Sequence, residues 1–567
     1  MQESYHDKKR ARESRAAIEK IYITMRQLVI RGNYKPNGFS GQALKEGLLA
    51  LSPEIYGSIT DPERVELDGL LYVIDRLPVG IEECRFIKLT AKEGFENTDL
   101  EPLIPSKRRR NCYRVDQDRM YIEMTRGRSD IYDILTHLTF LYNEADKIKK
   151  HNIDTKGRVS DDWKRLQEVV EQEMAGDVID ENRALVYLSN IIGRTIDETK
   201  EAIIKFKRNK TSYSLFRIIY WLGKISIEES KKGFYQEITF SAKLREIIGH
   251  HIYGELWATN IKQFIFEKDW IDRPVHIISS NLHSVLNTLF GLTALQEDGS
   301  FADVESLALQ SSSEKNEHLK QKIKQYALEN GMHELHDTHG TNLSVQIYDL
   351  RKVPDEVFEN SLGLQHSFKD NILLVMDYAF GEQAYECFDE LLKPYEVEYD
   401  NLPLNIASIN IMGKAGTLCG KKGDLMIPTS FVFEGTADNY PIENDFQKND
   451  FEQSGISIFH GPMITVLGTS LQNRDILNHF RYSSWQAVGL EMEGAHYQKA
   501  IQSAIKIRKS INDHIKVRYA YYASDNPLLT GNTLASGSLG AEGIKPTYLI
   551  TKKMLQKIFL VEKNTNK

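Results

Sequence analysis

Cysteine is scarce in this 567-residue chain, with 4 in all: Cys84, Cys112, Cys387 and Cys419. No two of them share a metal-site spacing, so a zinc ribbon and a disulfide scaffold are both excluded as readings. Each reads as a small buried residue, and a reducing, cytoplasmic setting is the expectation. Long apolar runs are missing too. ILLVM at 372–376 is typical of the longest, well short of the ~20 residues a helix needs to cross a bilayer. The opening MQESYHDKKRARESRAAIEK is charged throughout and has no apolar secretory core. Nor is there a surplus of positive charge. Lys and Arg number 72 against 80 Asp and Glu, a net charge of -8, which gives no ground for nucleic acid or an anionic membrane as partner. Neither an internal repeat nor a low-complexity tract is present, and neither a metal nor a cofactor is expected.

What the chain does have is length. Single cores stop growing near ~250–300 residues, so two or three domains are expected. Hydrophobic content of 41% and charged content of 27% are those of an ordinary globular protein. Residues 1–340 read as mainly helical, with no legible role and with two subdomains as one way of dividing them. Ile18, Ile21, Met25 and Leu28 recur at helical spacing within 12–31, and the pattern continues from Arg128 to Lys150 and through WKRLQEVVEQEM, NRALVYLSNIIG and SYSLFRIIYWLGKI. RRRNCYR at 108–114 is the densest basic run and reads as a solvated or ion-paired face, with a phosphate-facing patch as the alternative. VHIISS at 275–280 reads as a strand. The polar stretch 297–340 reads as a boundary, ending in the loop GMHELHDTHG at 331–340.

The texture changes over 341–567. SVQIY, ILLVMDY, IASINIMG, LMIPTSFVF, ITVLGT, AVGLEM and VRYAYYAS are short β-prone runs, and helical patterns such as GEQAYECFDELLKP and AHYQKAIQSAIKIRK separate them. That alternation predicts an α/β domain, a mixed sheet flanked by helices.

Three segments there carry candidate chemistry. In IMGKAGTLCGKKGDLMIPTSF at 411–431, Gly413 and Gly416 around Lys414 read as a turn whose N–H groups could meet an anion, or as a turn and nothing more. In VGLEMEGAHYQKA, a strand ends on Glu491 and Glu493 flanking Met492, and Gly494 opens a helix. Such a carboxylate can bind vicinal sugar hydroxyls or simply satisfy the helix dipole. In YYASDNPLLTGNTL, Asp525 closes a strand between Ser524 and Asn526, where open α/β sheets bind ligands; an Asx-turn is the alternative.

Together these segments resemble the nucleoside phosphorylase and nucleosidase superfamily, and within it the AMP nucleosidases. The matching stretches are VMDYAFGEQAYE at 375–386, GKAGTLCGKKGD at 413–424, GTSLQNRDIL at 468–477, LEMEGA at 490–495 and SDNPLLTG at 524–531, in the family's order. The resemblance covers about residues 343–560. It implies a phosphorylase- or nucleosidase-like fold and attack at C1′ of a purine nucleoside or its 5′-phosphate. Asp525 would be the acid at purine N7, which requires a carboxyl protonated near neutral pH. Glu493 would bind the 2′- and 3′-hydroxyls, Met492 would pack on the ligand, and Glu491 would orient a ligand or water. Ser524 and Asn526 flank the acid, Arg474 and Arg481 are candidates for a 5′-phosphate, and Phe431 and Phe433 for stacking on the base.

The pattern departs from the phosphorylases at two turns. Lys414 stands where they carry a small hydroxyl residue, and Glu382 places an acid beside the turn at Gly381. Both favour hydrolysis. The alternatives are a purine nucleoside phosphorylase using inorganic phosphate and a silent purine-nucleotide-binding regulator. Homo-oligomerisation is implied by the resemblance alone.

Overall fold

The computed structural model describes residues 5–108, 110–208, 213–296, 301–311, 316–364, 369–398, 400–436, 438–529 and 540–560. It divides into two compact units, Ser4–His250 with Ser470–Ile476, and His251–Thr469 with Leu477–Lys567.

The first unit is mainly helical, with its longest helices at Tyr5–Arg31 and Gly127–Asn152. It also holds a six-stranded sheet that includes Phe86–Thr90 and Arg119–Glu123. The stretch up to Lys107, read as loop-like after its helix, therefore contains a strand. The basic run is ion-paired: Arg108 Nε lies 3.2 Å from Asp133, and Arg110 reaches Asp130 at 2.7 Å and Asp133 at 2.6 Å. Arg109 lies outside the described residues.

The second unit is an α/β domain around a ten-stranded mixed sheet. Its strands are β1 (Val275–Ser279), β2 (Met332–Leu335), β3 (Val345–Asp349), β4 (Ile372–Met376), β5 (Ile406–Thr417), β6 (Leu425–Phe433), β7 (Asn439–Pro441), β8 (Ile458–Thr465), β9 (Gly489–Glu491) and β10 (Lys516–Asp525). Spatially they run β7-β6-β8-β9-β5-β1-β4-β3-β2, with β10 paired to β5 and β6. Both faces are covered, which is why β4 is an unbroken apolar run rather than an alternating one. Leu374 and Met376 join one core with Trp257, Phe388 and Tyr497, while Leu373 and Val375 join another with Phe290, Met554 and Ile558. The helices supplying these cores are α1 (Ile252–Glu267), α2 (Leu282–Ala294), α3 (Gln383–Leu391), α4 (Gly494–Gln502) and α5 (Ile544–Phe559).

Two expectations change here. The boundary read at 340 falls inside this unit, because β1 and β2 belong to its sheet. The polar stretch before it carries a helix, Glu317–Glu329, that buries Leu319, Ile323 and Ala327. The expected loop at 331–340 opens with β2, paired antiparallel to β3.

The far side of the sheet closes on itself. β5 pairs with β10, β10 with β6, β6 with β8, β8 with β9, and β9 again with β5. The candidate residues sit on this ring.

Candidate functional site

β5 is the ruler of the site. It does not stop at Gly413, as the sequence suggested, but runs on to Thr417. Gly413 lies opposite Tyr521 of β10, and Gly416 lies opposite Asp525 on one side and Leu490 on the other. Neither glycine forms an anion-binding turn. Gly413 instead makes room for a ring: a Cβ there would lie 2.2 Å from the Tyr521 side chain. The turn between β5 and β6 comes later, at 418–424. Lys414 is exposed, and its charge acts on Asp525.

The register between β5 and β10 shifts after Ala415. Ala415 pairs with Ala523 and Gly416 with Asp525, so Ser524 is an extra residue and the strand bulges just before the acid. Bulges re-aim side chains at sheet ends. Asp525 is only 2% exposed. Its Oδ1 accepts from Ser524 Oγ at 2.6 Å, and its Oδ2 is buried with no hydrogen-bond partner. Burial raises its pKa to about 6, against the opposing pull of the Ser524 hydrogen bond and the charges of Lys414 and Lys422. Ser524 Oγ also lies 3.1 Å from the carbonyl of Ala415, so its single proton faces two acceptors. Asn526 is a turn residue. Its Nδ2 donates to Gly420 O at 2.7 Å and its Oδ1 accepts from Leu528 N at 3.0 Å. The final Thr530-Gly531 of the SDNPLLTG stretch lies outside the described residues.

The two glutamates have different surroundings. Glu491 is buried at the end of β9 and accepts from Thr465 Oγ1 at 2.5 Å, from Glu493 N at 2.6 Å and from Gly494 N. It holds the start of α4 in place. Burial and the charge of Glu493 push its pKa up to about 8, although those three donors pull the other way. Glu493 is half-buried; its Oε1 accepts from Gly381 N at 2.9 Å and its Oε2 from Met492 N at 3.3 Å. Gly381, at φ 55, ends the turn between β4 and α3. The backbone donor of that turn therefore already meets a carboxylate of the protein.

Aromatic rings line the inner wall. Phe431 is fully buried, edge-on to Tyr519 at 5.1 Å and to Tyr521 at 6.0 Å, so it packs and is closed to a ligand. A Cβ on Gly494 would lie 2.2 Å from its ring, which explains the glycine at the start of α4. Phe433 meets His496 edge-on at 4.8 Å. Met492 is buried.

The two arginines are not brought together. Arg474 belongs to the helical unit, where its N–H donates to Glu54 at 3.2 Å. Arg481 stacks on Tyr482 at 5.0 Å, and its charge acts on Cys419. The GTSLQNRDIL stretch is no strand; it holds a short 3-10 turn and the start of the helix Arg474–Tyr482.

Sequence reasoning missed Tyr521, 2% exposed with its hydroxyl buried and unpartnered, and Thr465, which also accepts from Ala495 N at 3.0 Å. The alternation in VRYAYYAS could have marked Tyr521 as inward-facing; nothing in the sequence marks Thr465. An unsatisfied buried hydroxyl or carboxyl oxygen costs about 1–3 kcal/mol, and two stand on one strand here.

Two other features of the unit are already neutralised. His251, Asp389 and Glu390 could offer three donors to an ion, but Arg508 lies 2.8 Å from Asp389 and Lys393 lies 2.6 Å from Glu390. A cavity of about 480 Å³ opens beside Leu286, Glu334 and Tyr548, away from every candidate residue. Its Lys324 is paired with Glu334 at 2.7 Å.

A family model described as "Family of unknown function (DUF6909)" matches residues 42–308 and 304–560. The chain belongs to this family. No curated protein matches the chain. Among solved structures, this DUF6909 protein is similar to futalosine hydrolase of Helicobacter pylori, at 10% identity and a TM-score of 0.30, over 50% of this chain and 99% of that one. It is also similar to the 5′-methylthioadenosine/S-adenosyl homocysteine nucleosidase of Campylobacter jejuni, at 12% identity and a TM-score of 0.30, over 50% and 98%. The 5′-methylthioadenosine nucleosidase of Arabidopsis thaliana gives 11% identity and a TM-score of 0.28, over 51% and 95%. Likenesses of this size leave the chemistry to be read from the site itself. Among the described residues, no helix is long and apolar enough to cross a membrane.

Proposed function

We propose that the α/β unit hydrolyses the N-glycosidic bond of a purine nucleoside or nucleotide, in the manner of an AMP nucleosidase. The observation that carries this reading is Asp525. It is a buried carboxyl with one oxygen unpartnered and a pKa raised to about 6, so it retains a proton at slightly acid pH and has a free position from which to donate it. In the proposed reaction Oδ2–H is given to purine N7 as the glycosidic bond lengthens, and the base leaves neutral. Glu493, three strand positions away along the β5 ruler, binds the ribosyl hydroxyls and stabilises positive charge developing at the anomeric carbon. Three residues of strand span about 10 Å, which suits a ligand with its base at one end and its sugar at the other.

Water, rather than phosphate, is favoured as the nucleophile by Gly381. Its N–H, which an incoming anion would need, is already given to Glu493 at 2.9 Å. A phosphate placed there would also meet that carboxylate's charge. Lys414 no longer bears on this choice, since its charge acts at Asp525.

The test is to incubate the purified chain with a panel of purine nucleosides and 5′-nucleotides, with and without inorganic phosphate, and to resolve base and sugar products. Base release independent of phosphate, with free ribose or ribose 5-phosphate, is expected. Release only with phosphate, giving ribose 1-phosphate, overturns hydrolysis, and no release from any substrate overturns the enzymatic reading. A purine that binds without turnover would make the protein a sensor.

A further inference from the structure

Tyr521 is built into the ring of strands with unusual care for a residue whose hydroxyl bonds to nothing. Its side chain is wedged between Gly413 on β5 and Phe431 on β6, and a methyl group at position 413 would overlap its ring. The ring therefore has one place to be. The tyrosines beside it are satisfied: Tyr519 donates to Gln498 Oε1 at 2.9 Å, and Tyr497 shares a hydrogen bond with Ser279 at 2.8 Å. Tyr521 Oη is buried and has no partner. The groups whose charges face it are Glu491, Glu493, Tyr519 and Tyr497, with no cation among them.

That surrounding defines what can sit there. An anion would meet two carboxylates, and an apolar group would leave the hydroxyl as it is. A cation could satisfy the carboxylates, but it offers no lone pair to a tyrosine O–H. A neutral hydroxyl fits both demands, because it donates to Glu493 and accepts from Tyr521. Glu491 is not available for this, since both its oxygens are engaged by Thr465, Glu493 N and Gly494 N.

We propose that Tyr521 is a substrate-binding residue that donates a hydrogen bond to a ribosyl hydroxyl held by Glu493, making the site selective for ribo- over 2′-deoxyribonucleosides. The inference rests on the reading of the site as a purine nucleosidase and adds which sugar it takes. A site with a buried donor committed to a substrate hydroxyl rejects the analogue lacking that hydroxyl strongly, because the donor is then stranded.

The experiment compares wild type with Tyr521→Phe in the full-length chain, using adenosine, inosine and their 2′-deoxy counterparts, as nucleosides and as 5′-phosphates. Wild type is expected to favour the ribo substrate by at least about 100-fold in kcat/KM. In Tyr521→Phe that ratio should collapse towards unity, mainly through loss on the ribo substrate. Thermal stability should stay level or rise, because the change removes only an unsatisfied oxygen. A stable Tyr521→Phe protein with the wild-type ratio overturns the inference and leaves the nucleosidase reading standing. If wild type releases no base, that reading fails, and calorimetric binding of adenosine against 2′-deoxyadenosine decides the inference alone. Equal ribo preference in both proteins, or none in wild type, overturns it.

Discussion

The backbone N–H of Gly381 donates to Oε1 of Glu493 across 2.9 Å, joining the turn after β4 to the first residue before α4. A glycine turn of this kind is ordinarily a place for a ligand anion, and here the protein supplies the anion itself. The carboxylate is thereby held in one orientation while its remaining lone pairs stay available to hydroxyl donors.

Replacing Glu493 with Gln should therefore separate its two tasks. The amide oxygen still accepts from Gly381, so stability by chemical denaturation should stay within about 1 kcal/mol of wild type. The charge that favours a cationic sugar is lost, and kcat for base release should fall by about 10²–10³-fold. A fall in stability with unchanged kcat would assign Glu493 to the fold alone.

Asp525→Asn should lower base release by about 10²–10⁴-fold. In wild type, kcat/KM should decline above about pH 6 as the acid ionises. The same group ties stability to pH. Its folded pKa is raised from 3.8 to about 6, so its contribution is fully present below the lower value and is lost as pH rises through the upper one. Roughly two units correspond to about 3 kcal/mol. Denaturation at pH 4 and pH 8 should show that loss in wild type and not in Asp525→Asn. Equal pH dependence in both proteins rules out Asp525 as its source.

Lys422 and Lys414 each act to lower the pKa of Asp525. Lys422→Met should shift the alkaline limb of the activity profile to higher pH, with the rate below that limb little changed. A limb that stays put, or moves down, contradicts the proposed electrostatics.

Gly413→Ala probes packing rather than chemistry. The added methyl would lie 2.2 Å from the Tyr521 ring, and overpacking of this kind costs about 1–3 kcal/mol. The midpoint in urea should fall with the slope of the transition unchanged.

Much of the α/β unit could be read from the sequence because its strands are short, apolar and punctuated. LMIPTSFVF coincides with β6 residue for residue, and VHIISS with β1 to within one. The region to which β1 belongs could not be read, because its partners β4 and β5 lie about a hundred residues further along and strand pairing is a tertiary fact. The polar stretch 297–340 looked like a boundary because its charged residues outnumber the few apolar positions that dock it. Gly413 and Gly416 were misread for a related reason: glycine is equally at home in a turn and beneath a large ring, and only the ring's position tells the two apart. Asp525 and Glu493 were found through the order of motifs around them. Tyr521 could not be, because an unpartnered hydroxyl is defined by what fails to surround it.

The closed circuit of β5, β10, β6, β8 and β9 has a kinetic meaning. Each of its strands is clasped on two sides, so none can peel away singly, and its amides are expected to exchange with solvent only when the whole unit opens. The floor carrying the acid and the tyrosine is thus the slowest-breathing part of the unit. Ligand entry and product departure must be paced by whatever moves around that floor.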